Sequence, residues 1–460
     1  QDAGMTFTAD QGDVTLTRSQ VQSGGDLTAS AGQNIGLTDS NATAAGAATL
    51  TAGTDEENGS EADIALDNSH VTANGGDATL TAADGIGLQG ASTVVARDNL
   101  SADAQAGDLT LIQNSTLAAQ TGQMDLDAGN AVAFTDSSAT AATSMTVDAS
   151  DAGIALSNSH ATAGTDLSLD AGTDITLTDS EAPLSTGSTL VAESGNLSLD
   201  AGNNIHLDSA SSGVAHVYVT ADAETGDLTV IEQSKLLAQT GKMDLDAGNR
   251  VAVTDSTLNA ATDLTVDAVA ADIALQSSHA TAGDNLAMTA GTDVTLTEGS
   301  SADATAGDLA MTASAGDVRL TDSSTSAAGT LDLSASETVA ITRGSASSGG
   351  DLTLTGSEGD ITVTSGLLYT GGILDAHAGD NLTLTDALAI SGAHDMGDPA
   401  PAWQDAGMTL TADQGDITLT RSQVQSGGDL TASAGQSIGL IDANATAAGN
   451  ATLTAGTDEE

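Results

Sequence analysis

The chain has 460 residues, of which 64 are acidic and 8 basic, for a formal net charge of −56. Such acidity repels nucleic-acid phosphates and anionic membrane surfaces, and the absence of cysteine rules out disulfides and thiolate metal sites. With aromatic residues at 1%, no thick globular core can be filled, so the chain is either disordered or ordered around a thin interior of small aliphatic side chains.

Periodicity decides for order. From the amino terminus onward, short runs alternate apolar and polar residues, are broken by glycine turns, and resume. In "DLSLDAGTDITLTDSEA", Leu167 and Leu169 alternate with polar neighbours, Gly172 turns, and Ile175 and Leu177 alternate again. These are two strands, A and B. A weaker strand C precedes them in "SHATAG", with Ala161 and Ala163 inward. Strand A restarts at Met124, Met145 and Leu167, then at Leu264, Leu286, Leu309, Leu331, Leu352 and Leu374, and strand B at Val132, Ile154 and Ile175. The step is 21 to 23 residues, which predicts one coil of an all-β, parallel β-solenoid with three short strands per coil.

Two longer steps of 30 residues, Ala48 to Ala78 and Leu167 to Leu197, imply insertions that loop outward at corners. One is "DEENGSEAD", Asp55 to Asp63, and the other contains "EAPLSTGS", Glu181 to Ser188. Above the coil lie two longer periods. A 119-residue repeat within 109–299 sets Met124 against Met243, His160 against His279 and Phe134 against Val253. A 403-residue repeat matches the first 57 residues to the last 57 with six differences. Residues 1–403 are therefore expected to form one period of about 17 coils, roughly 80 Å of stacked strands, with 404–460 starting the next. The seam between them, 395–403, holds Pro399, Pro401 and the only tryptophan, Trp403. Because proline cannot donate to a strand ladder, this seam should leave the stack, either as a surface loop or as a lateral contact built on Trp403. Gln1 falls within a repeat, so any targeting signal is expected outside this stretch; no run is apolar enough to span a membrane as a helix.

Runs such as "GGDLTLTGSEGDITVT" (349–364) and "AGTDLSLDAGTDITLTDS" (163–180) resemble the haemagglutinin repeats of bacterial two-partner-secretion exoproteins, the group of the filamentous haemagglutinins. The resemblance implies a right-handed, triangular parallel β-helix. It also implies export across a Gram-negative outer membrane and a place on the cell surface as an adhesive or presenting rod. Its partners would be a cell-surface or other extracellular ligand, or copies of itself in a filament or sheath.

Candidate sites are few. The corner after strand B reads Arg18, Asp39, Asn68, Asn114, Asp136, Asn158, Asp179, Asp208, Asp255, Asp322, Arg343, Asp386 and Arg421. Asn and Asp suit a corner because they accept bonds from turn amides and tolerate left-handed backbone, so this column reads as a structural ladder. For a cofactor, the reading is none, with Ca²⁺ the one possibility at Asp55, Glu56, Glu57, Glu61 and Asp63; the repeat pattern of calcium-binding β-rolls is missing. His70, His160 and His279 fall at one outward position four and five coils apart, and His206, His216, His377 and His394 lack paired ligand spacing. Outward Thr-x-Thr pairs, as at 176–179 and 409–412, also occur in ice-binding solenoids, but threonine is the ordinary residue of an exposed strand face. No arrangement of nucleophile and base stands out, and the short turns build no wall for a polysaccharide-cleaving cleft. The expected function is that of a non-enzymatic extracellular stalk.

Overall fold

The computed structural model describes residues 3–53, 61–179, 187–392 and 405–456. Among these there is no helix; all regular structure is strand, in segments of three to five residues. The fold is the expected parallel β-solenoid, with three strands per coil. It divides into two units, Gln1–Thr240 and Gly241–Glu460. The first runs through ten coils, from Met5–Ala9 to Lys235–Ala238. The second runs through nine, from Met243–Ala247 to Asn444–Ala447, and ends on one further strand, Ala451–Ala455.

A coil is built as the alternation dictates. Strand A has five residues, such as Leu27–Ala31, and buries the first, third and fifth. Strand B, such as Ile35–Thr38, buries the first and third, and strand C, such as Asn41–Ala44, buries the second and fourth. Within each unit every strand pairs in parallel with its counterpart one coil on, so the three strand types stack into sheets A, B and C. Register is kept across both long steps. Leu167 to Ala171 pair with Leu197 to Ala201, and Ala48 pairs with Ala78. A one-residue slip would turn each aliphatic column outward, which is why the pairing is so uniform.

The interior is columns of like residues. Leu, Ile, Val and Met fill sheets A and B, while alanine closes the ends of strands A and C, as at Ala104, Ala128 and Ala149, all 2% exposed or less. Phe134 is the one fully buried aromatic ring among the described residues, at 1% exposure between Leu111 and Leu156, whereas Val253 holds the matching place in the second unit. Leu236 and Leu197 reach over Gly213, whose position would put a Cβ against both of them. Thin interiors of this kind need no aromatic residues, because each side chain only has to fill the distance to the opposite sheet.

Candidate functional site

Three polar columns run along the corners, and they account for much of the unusual composition. The first stands just before strand A, the second just before strand B. At both, an Asp or Asn side chain accepts the backbone N–H of the same position one coil later. Before strand A, Asp26 Oδ1 takes Ala47 N at 2.9 Å, Asp77 Oδ1 takes Asn99 N at 2.9 Å, and Asp351 Oδ1 takes Ile373 N at 2.8 Å. Before strand B, Asp13 accepts from Asn34 N at 3.0 Å, Asp174 from Asn204 N at 3.0 Å and Asp360 from Asn381 N at 2.9 Å. Corner amides have no ladder partner of their own, so the carboxylate supplies one. Backbone donation holds Asp308 below the ordinary carboxylate value, through Thr330. The frequent Gly-Asp dipeptide follows: a Cβ at Gly316, before Asp317, would collide with the Asp293 carboxylate that arrives from the coil before to accept Asp317 N, and Gly329, before Thr330, stands in the same way against Asp308.

The third column is serine, at the corner between strands B and C. Ser69, Ser159, Ser188 and Ser278 are completely buried. Ser159 Oγ accepts Ser137 N at 3.1 Å and donates to Ser157 O at 2.8 Å, and Ser278 repeats the pattern between Ser256 N and Gln276 O. Only Ser234 in this column has an Oγ without a partner among the described residues. None of these three columns was singled out from the sequence. The recurring "GD", "GN" and "DS" dipeptides were the signal, hidden by their resemblance to ordinary turn composition.

The residue before the serine is the one the corner reading named. Arg18, Asp39, Asn68, Asp136, Asn158, Asp255, Asp322, Arg343, Asp386 and Arg421 all have φ between 46° and 52°, the left-handed region. Asn114 also lies there, at 62°. At Asp208 the left-handed pair is Ser209 and Ala210, one step on, with His206 at 3.7 Å from the Asp208 carboxylate. Asp179 is buried, at 9% exposure, at the edge of the second insertion. Side chains along this corner pair between coils. Asn68 donates to Asp39 at 2.8 Å and Asn158 to Asp136 at 2.7 Å. Arg343 and Arg421 each grip an aspartate with two bonds of 2.6 to 2.7 Å, to Asp322 and Asp386, which lowers both carboxyl pKa values.

Of the calcium candidates, Asp55, Glu56 and Glu57 lie outside the described residues, as do Pro399, Pro401, Trp403 and His394. Glu61 is exposed, and Asp63 belongs to the column before strand B: its N–H donates to Asn34 Oδ1 and its Oδ1 accepts Gly85 N, both at 2.9 Å. Among the described residues no group of three or more His, Asp or Glu side chains is arranged to hold a metal. The histidines pair singly with hydroxyls or carboxylates, His70 with Thr93 at 2.8 Å, His160 with Thr189 at 2.7 Å and His377 with Asp413 at 3.1 Å.

Charge on the flat faces is sorted by sheet. Sheet A of the first unit carries six aspartates in register, Asp103, Asp127, Asp148, Asp170, Asp200 and Asp222. Parallel pairing sets neighbours about 4.8 Å apart. Burial and like charge both penalise ionisation there, and Asp127 is raised from 3.8 to about 6 by burial first, then by Asp125, Asp103 and Asp148. Asp170 is raised for the same reasons, by burial, Asp148 and Asp200. Sheet B holds one acidic residue among its described strands in the first unit, Asp67, and none in the second. Sheet C holds none in the first unit and one in the second, Asp303. A shallow surface groove of about 550 Å³ lies where strands B and C meet, over Asn114, Thr116, Asp136, Ser138, Asn158 and His160.

Residues 89–236, which include the whole aspartate column, match the family model of the hemagglutinin repeat. Neither a curated protein nor a solved structure matches the chain. The matched segment and the three-stranded coil that repeats on either side of it fit a filamentous haemagglutinin-like repeat protein.

Proposed function

We propose that this chain is a non-enzymatic, extracellular stalk of a repetitive bacterial surface protein, of Gram-negative origin, that acts in adhesion or cell–cell contact. The observation that carries the reading is the hemagglutinin-repeat match laid over a solenoid whose carboxylates are structural. In both units many of the acids accept corner amides, the face of sheet A carries further aspartates, and the remaining surface is flat sheet. Such a molecule works by position: ladder bonds keep each coil in register, and the charge keeps copies soluble while the faces present side chains.

Immunogold labelling of intact cells of the producing bacterium tests the location, and adhesion tests the role. Beads coated with the chain should bind target cells, and soluble chain should compete. Labelling confined to the cell interior, or beads no stickier than beads coated with an unrelated acidic protein, would end the proposal. A structural filament or sheath is the second reading, favoured by the acid-poor faces of sheets B and C, which leave room for copies to pack.

A further inference from the structure

Asparagine followed by glycine occurs twice in the chain, at 58–59 and at 74–75, and the second pair lies among the described residues. Asn74 and Gly75 stand exposed in the corner that joins the strand His70–Ala73 to the strand Ala78–Ala82. The coil before dictates the glycine: a Cβ at position 75 would collide with the Ala45 carbonyl oxygen. The side-chain amide of Asn74 folds back along the stack. It donates through Nδ2 to Ala44 O at 3.2 Å, beside the 3.0 Å bond from its own backbone N–H to the same oxygen. What sets this corner apart is the next amide. Gly75 N has Gly46 O as its acceptor at 3.5 Å, beyond the ordinary range of an N–H···O bond. Other asparagines are followed by an amide that is firmly held. Leu100 N after Asn99 donates to Gln123 O at 3.0 Å, Ala131 N after Asn130 to Asp108 Oδ1 at 3.1 Å, and Leu382 N after Asn381 to Asp416 O at 3.0 Å.

We infer that Asn74 is a site of spontaneous covalent modification, at which the Gly75 backbone nitrogen displaces the side-chain amide and the residue ends as aspartate or isoaspartate. The nitrogen gives its proton to hydroxide or water and attacks Asn74 Cγ. The new N–Cγ bond closes a cyclic imide as the Cγ–Nδ2 bond breaks, and Nδ2 leaves as ammonia with a proton taken from solvent. Water then opens the imide at either carbonyl. One opening leaves an aspartate side chain; the other routes the main chain through the side-chain carbon. Nothing is oxidised or reduced, and water is the only co-reactant. The fold favours the attack in two ways. The glycine that stacking demands puts no side chain over the nitrogen, and the long bond of that nitrogen costs little to give up. Either product loses the Nδ2 donor to Ala44 O and adds a negative charge to the corner just before Asp77, whose carboxylate holds Asn99 N. A molecule that works by the position of its coils therefore acquires, without any enzyme, a mark of age at one corner of its first unit.

Peptide mapping by mass spectrometry of the full chain, held at pH 8.0 and at pH 6.0, tests this; fragment masses read residue 74 separately from the pair at 58–59. The mass gain of amide to acid should appear at Asn74 at least about tenfold faster than at Asn99 or Asn130. It should be faster at pH 8.0 than at pH 6.0, because the attacking nitrogen must lose its proton, and part of the product should accept a methyl group from an isoaspartyl methyltransferase. A second arm separates the structure from the dipeptide. Because Gly75 N is loosely held, the folded chain should convert Asn74 at a rate within about tenfold of the same chain unfolded in guanidinium chloride. Far-ultraviolet circular dichroism confirms that the incubated chain keeps its strands. An Asn74 that retains its amide, that converts no faster than Asn99, or that reacts more than about tenfold slower folded than unfolded overturns the inference.

Discussion

Asp127→Asn should make the first unit more stable at neutral pH and flatten its response to acid. Asp127 lies on sheet A between Asp103 and Asp148, with Asp125 two residues along the same strand, and its carboxyl is raised from 3.8 to about 6. A folded-state value above the unfolded one means that the native protein binds the proton more tightly. The associated stability is complete below about pH 4 and is lost as pH rises through about 6. At about 1.4 kcal/mol per pH unit, the whole shift caps the effect at about 3 kcal/mol. Because the carboxylate is half-exposed and screened by solvent, about 1 to 2 kcal/mol is the expected size.

Urea unfolding followed by circular dichroism at pH 7.5, 6.0 and 5.0 in low salt gives the slope. Amide hydrogen exchange at Met124–Ala128 assigns it to this strand. The wild type should gain stability between pH 7.5 and 5.0, and the Asn variant should start higher and change less. The aspartates with lowered values, Asp308, Asp322 and Asp386, do not interfere in that window. Their contribution is present above about pH 4 and is lost only below it. An Asn variant no more stable than wild type at pH 7.5, or one with an unchanged slope, would refute like-charge strain in this column.

The other predictions concern the polar columns. Ser159→Ala removes the acceptor of Ser137 N at a buried corner and should cost about 1 to 3 kcal/mol in chemical denaturation, whereas Ser234→Ala, where the hydroxyl has no partner, should be neutral or slightly stabilising. Thr325 is fully buried on strand C between Ala302 and Ala346, with an unpartnered Oγ1, so Thr325→Val should raise stability by about 1 kcal/mol and the melting temperature by about 2 to 4 °C. Gly329→Ala should destabilise by about 1 to 3 kcal/mol through collision with the Asp308 carboxylate; a double-mutant cycle with Asp308→Ala should show that the two losses are not additive.

Most of the fold was legible in the sequence because its signal is local and repeated. Period-two alternation names the inward residues, and the 21 to 23 residue step places each strand, so every strand A start named from the sequence, from Met124 to Leu374, begins a strand. The left-handed corner was legible too, since Asp and Asn tolerate positive φ. What escaped was anything that depends on which coil a side chain reaches. Asp13 and Asp26 read as turn residues; that each reaches forward to an amide of the next coil is a fact of stacking, 21 residues away in sequence. Asp63 shows the same blindness from the other side. Grouped with Glu61 and the insertion, it reads as part of an acidic loop and a weak calcium candidate; that it also stands between Asn34 and Gly85 as one more rung follows only from stacking.

The acidity then has two sources with opposite energetics. Corner carboxylates gain a backbone donor from the next coil, and at Asp308 that donation lowers the carboxyl value. The sheet A column of the first unit gains nothing of the kind: Asp127 and Asp170 sit beside like charges and are raised. A column kept at a cost in stability asks for a reason outside the fold, and mutual repulsion between copies supplies one. Sheet A would hold neighbouring molecules off. On this argument, removing charge from sheet A should do more than stabilise the coil. It should also weaken repulsion between molecules, so that a variant carrying Asp127→Asn, Asp148→Asn and Asp170→Asn scatters more light than the wild type at equal concentration in low salt, and an unchanged scattering would sink the argument.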